Sequence, residues 1–323
     1  MGYEPPFERA APIDNLCMEI AELVGMLHPS SELNVNPVLH RKLRISTIRS
    51  SLMIEGNTLT EDAVTAIIDG KRILGPPKDV REVQNAHRAY ELIGDLDPFN
   101  LEDLLRAHRV MMEGLVDQPG CFRSSNVGVF DGDALIHAGT PARYVAQVMA
   151  DLFGWLSSTD LHPLLASCVF HYEFEFIHPF ADGNGRAGRL WHTLLLARWK
   201  PVLAWLPVES VICRRQQDYY VAISHSNARG SSEIFVEFML EVIRDALLPY
   251  ARPKGKPEQR ESDVLEYLSR NPSATVVQLA AEIGCSKRSA ERAISDLRAQ
   301  GKLVREGSAR SGKWVVNPEP TSE

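Results

Sequence analysis

Apolar residues recur every three to four positions along most of this chain, a spacing that predicts a mainly α protein. From about residue 10 to residue 95 the pattern is helical throughout, with Leu16, Ile20, Leu23 and Val24 forming one stripe. Gly75-Pro76-Pro77 interrupts it ahead of a further helix containing Val83, Ala86, Tyr90 and Ile93. Leu164 to Ile177 is largely apolar, without an internal glycine or proline, and reads as a mostly buried helix. Pro163 suits its start and Pro179 ends it. Leu190, Leu194, Leu195 and Trp199 repeat at helical spacing, so a second helix begins near Asn184. One stretch departs from this period: Val127, Val129 and Leu135 alternate around Gly132, which predicts a β-hairpin.

Near the C-terminus the pattern changes. Arg252-Pro253-Lys254-Gly255-Lys256-Pro257 is a charged Pro/Gly linker and a domain boundary. Beyond it lie three short apolar stripes: Val264, Leu265 and Leu268; then Val277, Leu279, Ala280 and Ile283; then Ala290, Ile294 and Leu297. The turn between the second and third contains Gly284-Cys285-Ser286, with Ser286 a good N-cap. Leu303-Val304-Arg305 and Trp314-Val315-Val316 read as two strands around Gly307 and Gly312. That order resembles a winged helix-turn-helix, with Lys287, Arg288, Ser289 and Arg292 facing outward. Its basic residues are mixed with Glu282, Glu291, Asp296 and Glu306, so DNA and a protein partner both fit. Gly307 to Lys313 also spells a phosphate-loop pattern, but Trp314 stands where a hydroxyl residue is needed, so it is rejected as a nucleotide site. The division is therefore 1–98 as an N-terminal helical region, 99–250 as a core, 251–257 as linker and 258–318 as the small domain.

Composition narrows the class. A hydrophobic fraction of 44% and a net charge of -7 over 323 residues describe an ordinary globular protein with room for two or three domains. No apolar run is long enough to span a bilayer, and Tyr3-Glu4-Pro5-Pro6 does not resemble a secretion signal. Five scattered cysteines (Cys17, Cys121, Cys168, Cys213, Cys285) fit reduced thiols, so the expected setting is the cytoplasm.

The chemistry is concentrated in His178-Pro179-Phe180-Ala181-Asp182-Gly183-Asn184-Gly185-Arg186-Ala187-Gly188-Arg189. The glycines feed a helix N-terminus, where backbone N–H groups and the helix dipole favour anions. Gly183 and Gly185 lack Cβ, which lets phosphate oxygens approach the backbone. Arg186 and Arg189 share a helix face and can grip one polyphosphate. Asp182 offers a hard oxygen for Mg²⁺ bridging phosphates. His178 can take the proton of an attacking hydroxyl. Together these roles point to chemistry on the phosphates of a nucleotide.

Position for position, this segment resembles the signature of the Fic/Doc family, His-x-Phe-x-Asp/Glu-Gly-Asn-Gly-Arg-x-x-Arg. The resemblance implies a Fic-type helical bundle with a β-hairpin flap and transfer of AMP from ATP to a Ser, Thr or Tyr hydroxyl of a protein. It makes His178 the base and Asp182 the Mg²⁺ ligand. Gly183, Asn184 and Gly185 become the anion hole, Arg186 and Arg189 hold the β- and γ-phosphates, and Phe180 is a buried anchor. Gly120-Cys121-Phe122-Arg123, Val127-Gly128-Val129 and Ile136-His137 look like the family's flap, although Thr140-Pro141-Ala142 stands where paired prolines are common. Tyr219, Tyr220 and Asn227 match the spacing of adenine-pocket residues in some members, and periodicity alone reads the tyrosines equally as half-buried helix residues.

Upstream, Ser51-Leu52-Met53-Ile54-Glu55-Gly56 resembles the family's inhibitory motif. Ser51 and Glu55 are four apart and share a helix face, and Gly56 suits a helix stop. A glutamate there could pair with Arg189 where a γ-phosphate belongs. Two function classes follow. One is an autoinhibited protein adenylyltransferase, acting on a target protein and on itself, whose site could also remove AMP from a protein with Glu55 positioning a water. The other is a DNA-binding regulator whose Fic-like pocket senses nucleotide. Intact His178 and Asp182 favour the first, since a sensor needs the cradle but not the base. A homodimer is compatible with either, and no membrane partner is expected.

Overall fold

The computed structural model describes residues 3–27, 31–126, 128–131, 134–251, 257–283, 285–307 and 312–317. The chain divides into two compact units, residues 1–250 and 251–323. Val127, Gly132, Gly284 and most of the linker (252–256), each read from the sequence, lie outside the described residues, as does residue 318.

In the large unit, α1 (Ala11–Met26) buries Ile13, Leu16, Ile20 and Leu23. After the short α2 (Glu32–Val35), the Asn36 side chain accepts from the backbone N–H groups of Val38 and Leu39 and starts α3 (Pro37–Ile54), whose last turn carries Ser51. Gly56 turns left-handed with φ 86° and stops it. Thr60 caps α4 (Glu61–Ile68). Next come α5 (Pro77–Glu91) and α6 (Leu101–Met111), the latter capped by Asn100. The expected hairpin is β1 (Gly128–Asp131) paired antiparallel with β2 (Ala134–Ala138), Gly128 opposite Ala138, with an irregularity between Val129 and Phe130.

Then follow α7 (Ala142–Ser158), α8 (Pro163–Ile177) and α9 (Asn184–Trp199). α8 and α9 are buried on nearly every side and form the middle of the unit; α8 is apolar almost all round, whereas α9 also buries Asn184, Arg186 and Arg189. Around them lie α10 (Val208–Arg214), α11 (Gln216–Arg229) and α12 (Glu233–Ala251). α3 packs against α10, where Ser46 and Ser50 both reach the Ser210 hydroxyl, at 2.9 and 3.1 Å. That packing delivers the last turn of α3 to the first turn of α9. Among the described residues no helix is long and apolar enough to cross a membrane.

The small unit contains α13 (Pro257–Arg270), α14 (Val276–Glu282), α15 (Lys287–Ala299) and the antiparallel pair β3 (Leu303–Glu306) and β4 (Lys313–Val316). Its core is Val264, Leu268, Leu279, Ala290, Leu297, Leu303 and Trp314. Val277, assigned by the sequence to the second apolar stripe, is instead 62% exposed. The reason is the helix start: a capping box between Thr275 and Gln278 begins the helix at Val276, which turns Val276 toward the core in its place.

Candidate functional site

The turn from α8 to α9 carries the motif. His178 ends α8 in the left-handed region, with φ 53° and ψ 62°. It is the only non-glycine residue with positive φ among those described. An L-residue there costs roughly 1–2 kcal/mol, so something outside the turn must impose it. Arg123, 5% exposed, does so. Its Nε donates to the His178 carbonyl at 2.7 Å and its Nη2 to the Ile177 carbonyl at 3.2 Å. The same guanidinium donates to the carbonyls of Ser125 and Thr140, which flank the hairpin. Its backbone N–H donates to the Pro179 carbonyl at 3.0 Å. One cation therefore covers the carbonyls left without helical partners at the end of α8 and ties hairpin to turn.

The inside of the turn is held by Phe180, His108 and Asn184. Phe180 is fully buried and stacks on the His108 imidazole, with centroids 3.6 Å apart. His108 Nδ1 accepts from the Gly120 N–H at 2.9 Å, so the ring proton sits on Nε2 and is donated to the Asp182 carbonyl, also at 2.9 Å. Burial pushes the His108 pKa down to about 4, which keeps the ring neutral for this bridge. Asn184 accepts from the Phe180 N–H and donates to the Phe180 carbonyl, both at 2.8 Å. Its carbonyl and one of its two amide N–H groups are thereby engaged in shaping the turn, and its backbone N–H opens the helix. Gly183, at φ 85°, has Met112 Sδ 2.5 Å from where a Cβ would be.

Asn184, Gly185 and Arg186 open α9, so their N–H groups have no carbonyl a turn earlier. Beside them, Asp182 Oδ1 accepts from the Gly183 N–H at 2.6 Å and from Arg186 Nη2 at 2.9 Å. Arg186 is enclosed, with Nη1 3.1 Å from Glu82, and Glu82 in turn accepts from Asn57 at 2.8 Å. The Asp182 side chain is 48% exposed, and its second oxygen carries no hydrogen bond among the described residues. No group of three or more His, Cys, Asp or Glu side chains suited to a metal occurs among those residues. The donor set thus fits a Mg²⁺ held by one carboxylate and a polyphosphate, and does not form a protein cage.

Arg189 lies one turn on, 2% exposed. Its Nε donates to Ser51 Oγ at 3.1 Å, and its Nη2 to the Ser51 carbonyl at 3.0 Å and to Glu55 Oε1 at 2.7 Å. Burial alone would lower the arginine's pKa, but the charge of Glu55, with Tyr219 and Glu175 nearby, outweighs it and the net shift is upward. Gly185 makes room for this pair: a Cβ there would sit 2.4 Å from Glu55 Oε1. So Ser51 and Glu55 reach Arg189 across 138 and 134 residues of chain, at the spot read from the sequence.

The residues read as an adenine pocket are divided. Tyr219 is 2% exposed, points into the core and shares a hydrogen bond with His171 Nε2 at 3.2 Å. Tyr220 is half-buried, its ring 5.5 Å from that of Tyr219. Asn227 accepts from Tyr172 at 2.9 Å, and its buried Nδ2 has no partner among the described residues.

Several site residues were not singled out from the sequence. Glu82, Met112 and Glu175 are invisible to it because they arrive from distant helices or lie outside the motif. His108 left a signal, since it falls on the buried stripe of α6 with Leu104 and Met111. Glu175 lies 4.0 Å from His178 Nδ1 and 3.8 Å from His171 Nε2, and burial raises its pKa to about 7.

A family model described as Fic/DOC family matches residues 98–196. Among solved structures, a Fic family protein from Desulfovibrio desulfuricans G20 is 41% identical, covers 99% of this chain and 100% of its own, and superposes with a TM-score of 0.75. Fic-1 (aa134 - 508) of Caenorhabditis elegans, 20% identical with a TM-score of 0.59 over 74% of this chain and 70% of its own, shares the fold. A curated relative called protein adenylyltransferase Fic, from Nematostella vectensis, is 30% identical over 204 residues, 59% of this chain and 45% of its own length. This chain therefore spans less than half of that relative.

Proposed function

This chain belongs to the Fic/DOC family, and on that premise we propose that it transfers AMP from ATP to a hydroxyl of a protein, breaking the bond between the α- and β-phosphates and releasing pyrophosphate, and restrains itself through Glu55. The observation that carries the reading is the Glu55–Arg189 pair at 2.7 Å, set over the N-terminus of a glycine-opened helix. The N–H groups of Asn184, Gly185 and Arg186 bind the phosphates. Arg189 takes the γ-phosphate once Glu55 has left, and Arg186 fixes Asp182. Asp182 holds Mg²⁺, which when bound offsets the charge of the phosphate chain. His178, with 22% of its side chain exposed, takes the proton of the incoming hydroxyl. Tyr220 and the spare Nδ2–H of Asn227 face the base. Restraint is cheap: holding about 99% of molecules inactive needs about 2.7 kcal/mol, and one charge-assisted buried bond contributes about 1.5–3 kcal/mol.

The test is transfer of labelled AMP from ATP with Mg²⁺, comparing wild type with Glu55→Gly. Self-labelling is expected to rise in the variant. Equal rates at saturating ATP would end the restraint model, and loss of an AMP-removing activity in the variant would favour a two-way enzyme.

For the small unit we propose a winged helix-turn-helix that guides the protein to its partner. Three helices followed by a hairpin support this, as do exposed Lys287, Arg288 and Arg292 on α15. Lys287 already pairs with Glu291 at 3.7 Å, which reduces the charge offered to DNA. Retardation of DNA fragments at low salt that collapses as salt rises would favour DNA, and its absence would favour a protein partner.

A further inference from the structure

Away from the phosphate cradle, the first half of α3 forms one wall of a cavity of about 700 Å³. Arg44 lines it. The guanidinium carbon lies 5.0 Å from the ring centroid of Tyr90 and 5.0 Å from that of Trp205. His40, one turn earlier, stacks flat on Trp205 at 4.2 Å with an interplanar angle of 2° and is anchored by its Nε2 to the Leu33 carbonyl at 2.7 Å. The aromatic contacts fix the plane of the guanidinium but use none of its N–H donors. Among the described residues Arg44 makes no hydrogen bond and no ion pair. Two carboxyls act on Arg44, but from beyond ion-pair distance: Glu209, whose Oε1 accepts from Tyr90 and Thr193 at 2.9 and 3.0 Å while its Oε2 has no partner among the described residues, and Glu91, which lies 3.6 Å from His87. A preset guanidinium fork with unused donors, opening on a cavity, is a poor packing element and a good anion receptor.

We propose that this cavity binds a small organic anion with one carboxylate and an apolar body. The charge count sets the number of negative groups. Arg41, also at the cavity, is already ion-paired with Asp69, so Arg44 is the one arginine there without an ion pair among the described residues. Glu91 at the wall repels further negative charge, which disfavours a phosphate or a dicarboxylate. Volume sets the body: the space is in the range of small-molecule sites and far larger than an inorganic ion. The remaining walls, including Ile45, Ile68 and Ile93, are aliphatic. The carboxylate would lie in the guanidinium plane, and the apolar body would pack against the isoleucines.

The test uses the full chain and 2-naphthoate as probe, titrated calorimetrically, with 2-naphthalenemethanol and inorganic phosphate as controls. Saturable binding in the tens of micromolar is expected for a ligand of this size, with neither control binding. Arg44→Gln should weaken it by at least ~10-fold, the loss of one charge-assisted fork. Ile68→Glu, which puts a negative charge on the cavity wall and leaves Arg44 in place, should do the same. Arg189→Gln and saturating ATP should leave the affinity unchanged, which separates this site from the cradle whether or not the cradle reading holds. Absence of saturable binding, equal binding of the alcohol, an unchanged affinity in both cavity variants, or displacement by ATP would each overturn the proposal.

Discussion

Two of the turns that join consecutive helices in this protein are built in opposite ways. The turn from α8 to α9 is shaped by side chains from far along the chain. Arg123 reaches it across 55 residues, His108 across 74 and Glu82 across 104. The turn into α15 is shaped from within. Ser286 accepts from the Ser289 N–H at 3.1 Å, and the preceding helix starts with its own capping box. Remote construction allows a conformation that local preferences reject, the left-handed His178. Local construction settles for what the sequence already favours. The first turn can therefore hold reacting groups in a strained, fixed geometry, whereas the second presents a helix face at little cost.

The sharpest break in the comparison is chemical. His178→Ala should lower AMP transfer by ~10²–10⁴, the usual weight of a general base, when made in the Glu55→Gly background. Calorimetric ATP affinity should change little, because the backbone cradle and the arginines are untouched. Full activity in this variant would remove His178 from the mechanism and leave the strain of its backbone unexplained.

Removing the remote support should cost nearly as much, now in stability. Arg123→Met keeps bulk but strips the donors from the carbonyls of Ile177, His178, Ser125 and Thr140. Buried carbonyls left unpaired cost about 1–3 kcal/mol each in the worst case, and water will recover part of that, so a total of about 3 kcal/mol is expected from urea unfolding. A change below about 1 kcal/mol would mean that the turn holds its shape without Arg123.

Acid should weaken the same turn through His108. Its folded pKa of about 4 lies below the ordinary value of 6.5, so the unfolded chain binds a proton first. Stability from the neutral ring is complete above pH 6.5 and is lost as pH falls through 4. His108→Gln cannot titrate. The stability advantage of wild type over this variant should shrink by up to about 3 kcal/mol between pH 7.5 and 4. His171 and His192, also buried with lowered pKa values, are common to both proteins and cancel. A constant difference across that range would show that His108 titrates normally and does not bridge Gly120 and Asp182.

What the sequence made legible follows the same division. The helical periods located α8, α9 and α15 because their apolar positions repeat locally, and the motif's residue types announced phosphate chemistry. Ser51 and Glu55 could be matched to Arg189 because both sides belong to compact motifs. Arg123 could be read only as part of a hairpin, since nothing near it in the chain shows that it spans two loop ends. Glu82 and Glu175 carry no local mark at all, for a carboxylate on a helix normally faces water. Val277 was misread because one residue of helix phase, decided by the Thr275 cap, is finer than a stripe in a seven-residue helix can resolve.

The smallest expected effect tests the local side of the comparison. Ser286→Ala removes the hydroxyl that accepts the Ser289 N–H and leaves that donor to water. Loss of such a cap costs about 1 kcal/mol. If the turn is built locally, the cost stays local. Hydrogen exchange on the full chain should then quicken at the amides of α15 by about five-fold, the equivalent of that energy. Exchange in α8 and α9 and the rate of AMP transfer should not move, because Arg123, His108 and Glu82, which shape the α8–α9 turn, all lie in the large unit. Faster exchange in α9 would show that the two units open together, and the turn into α15 would then depend on more than its own cap.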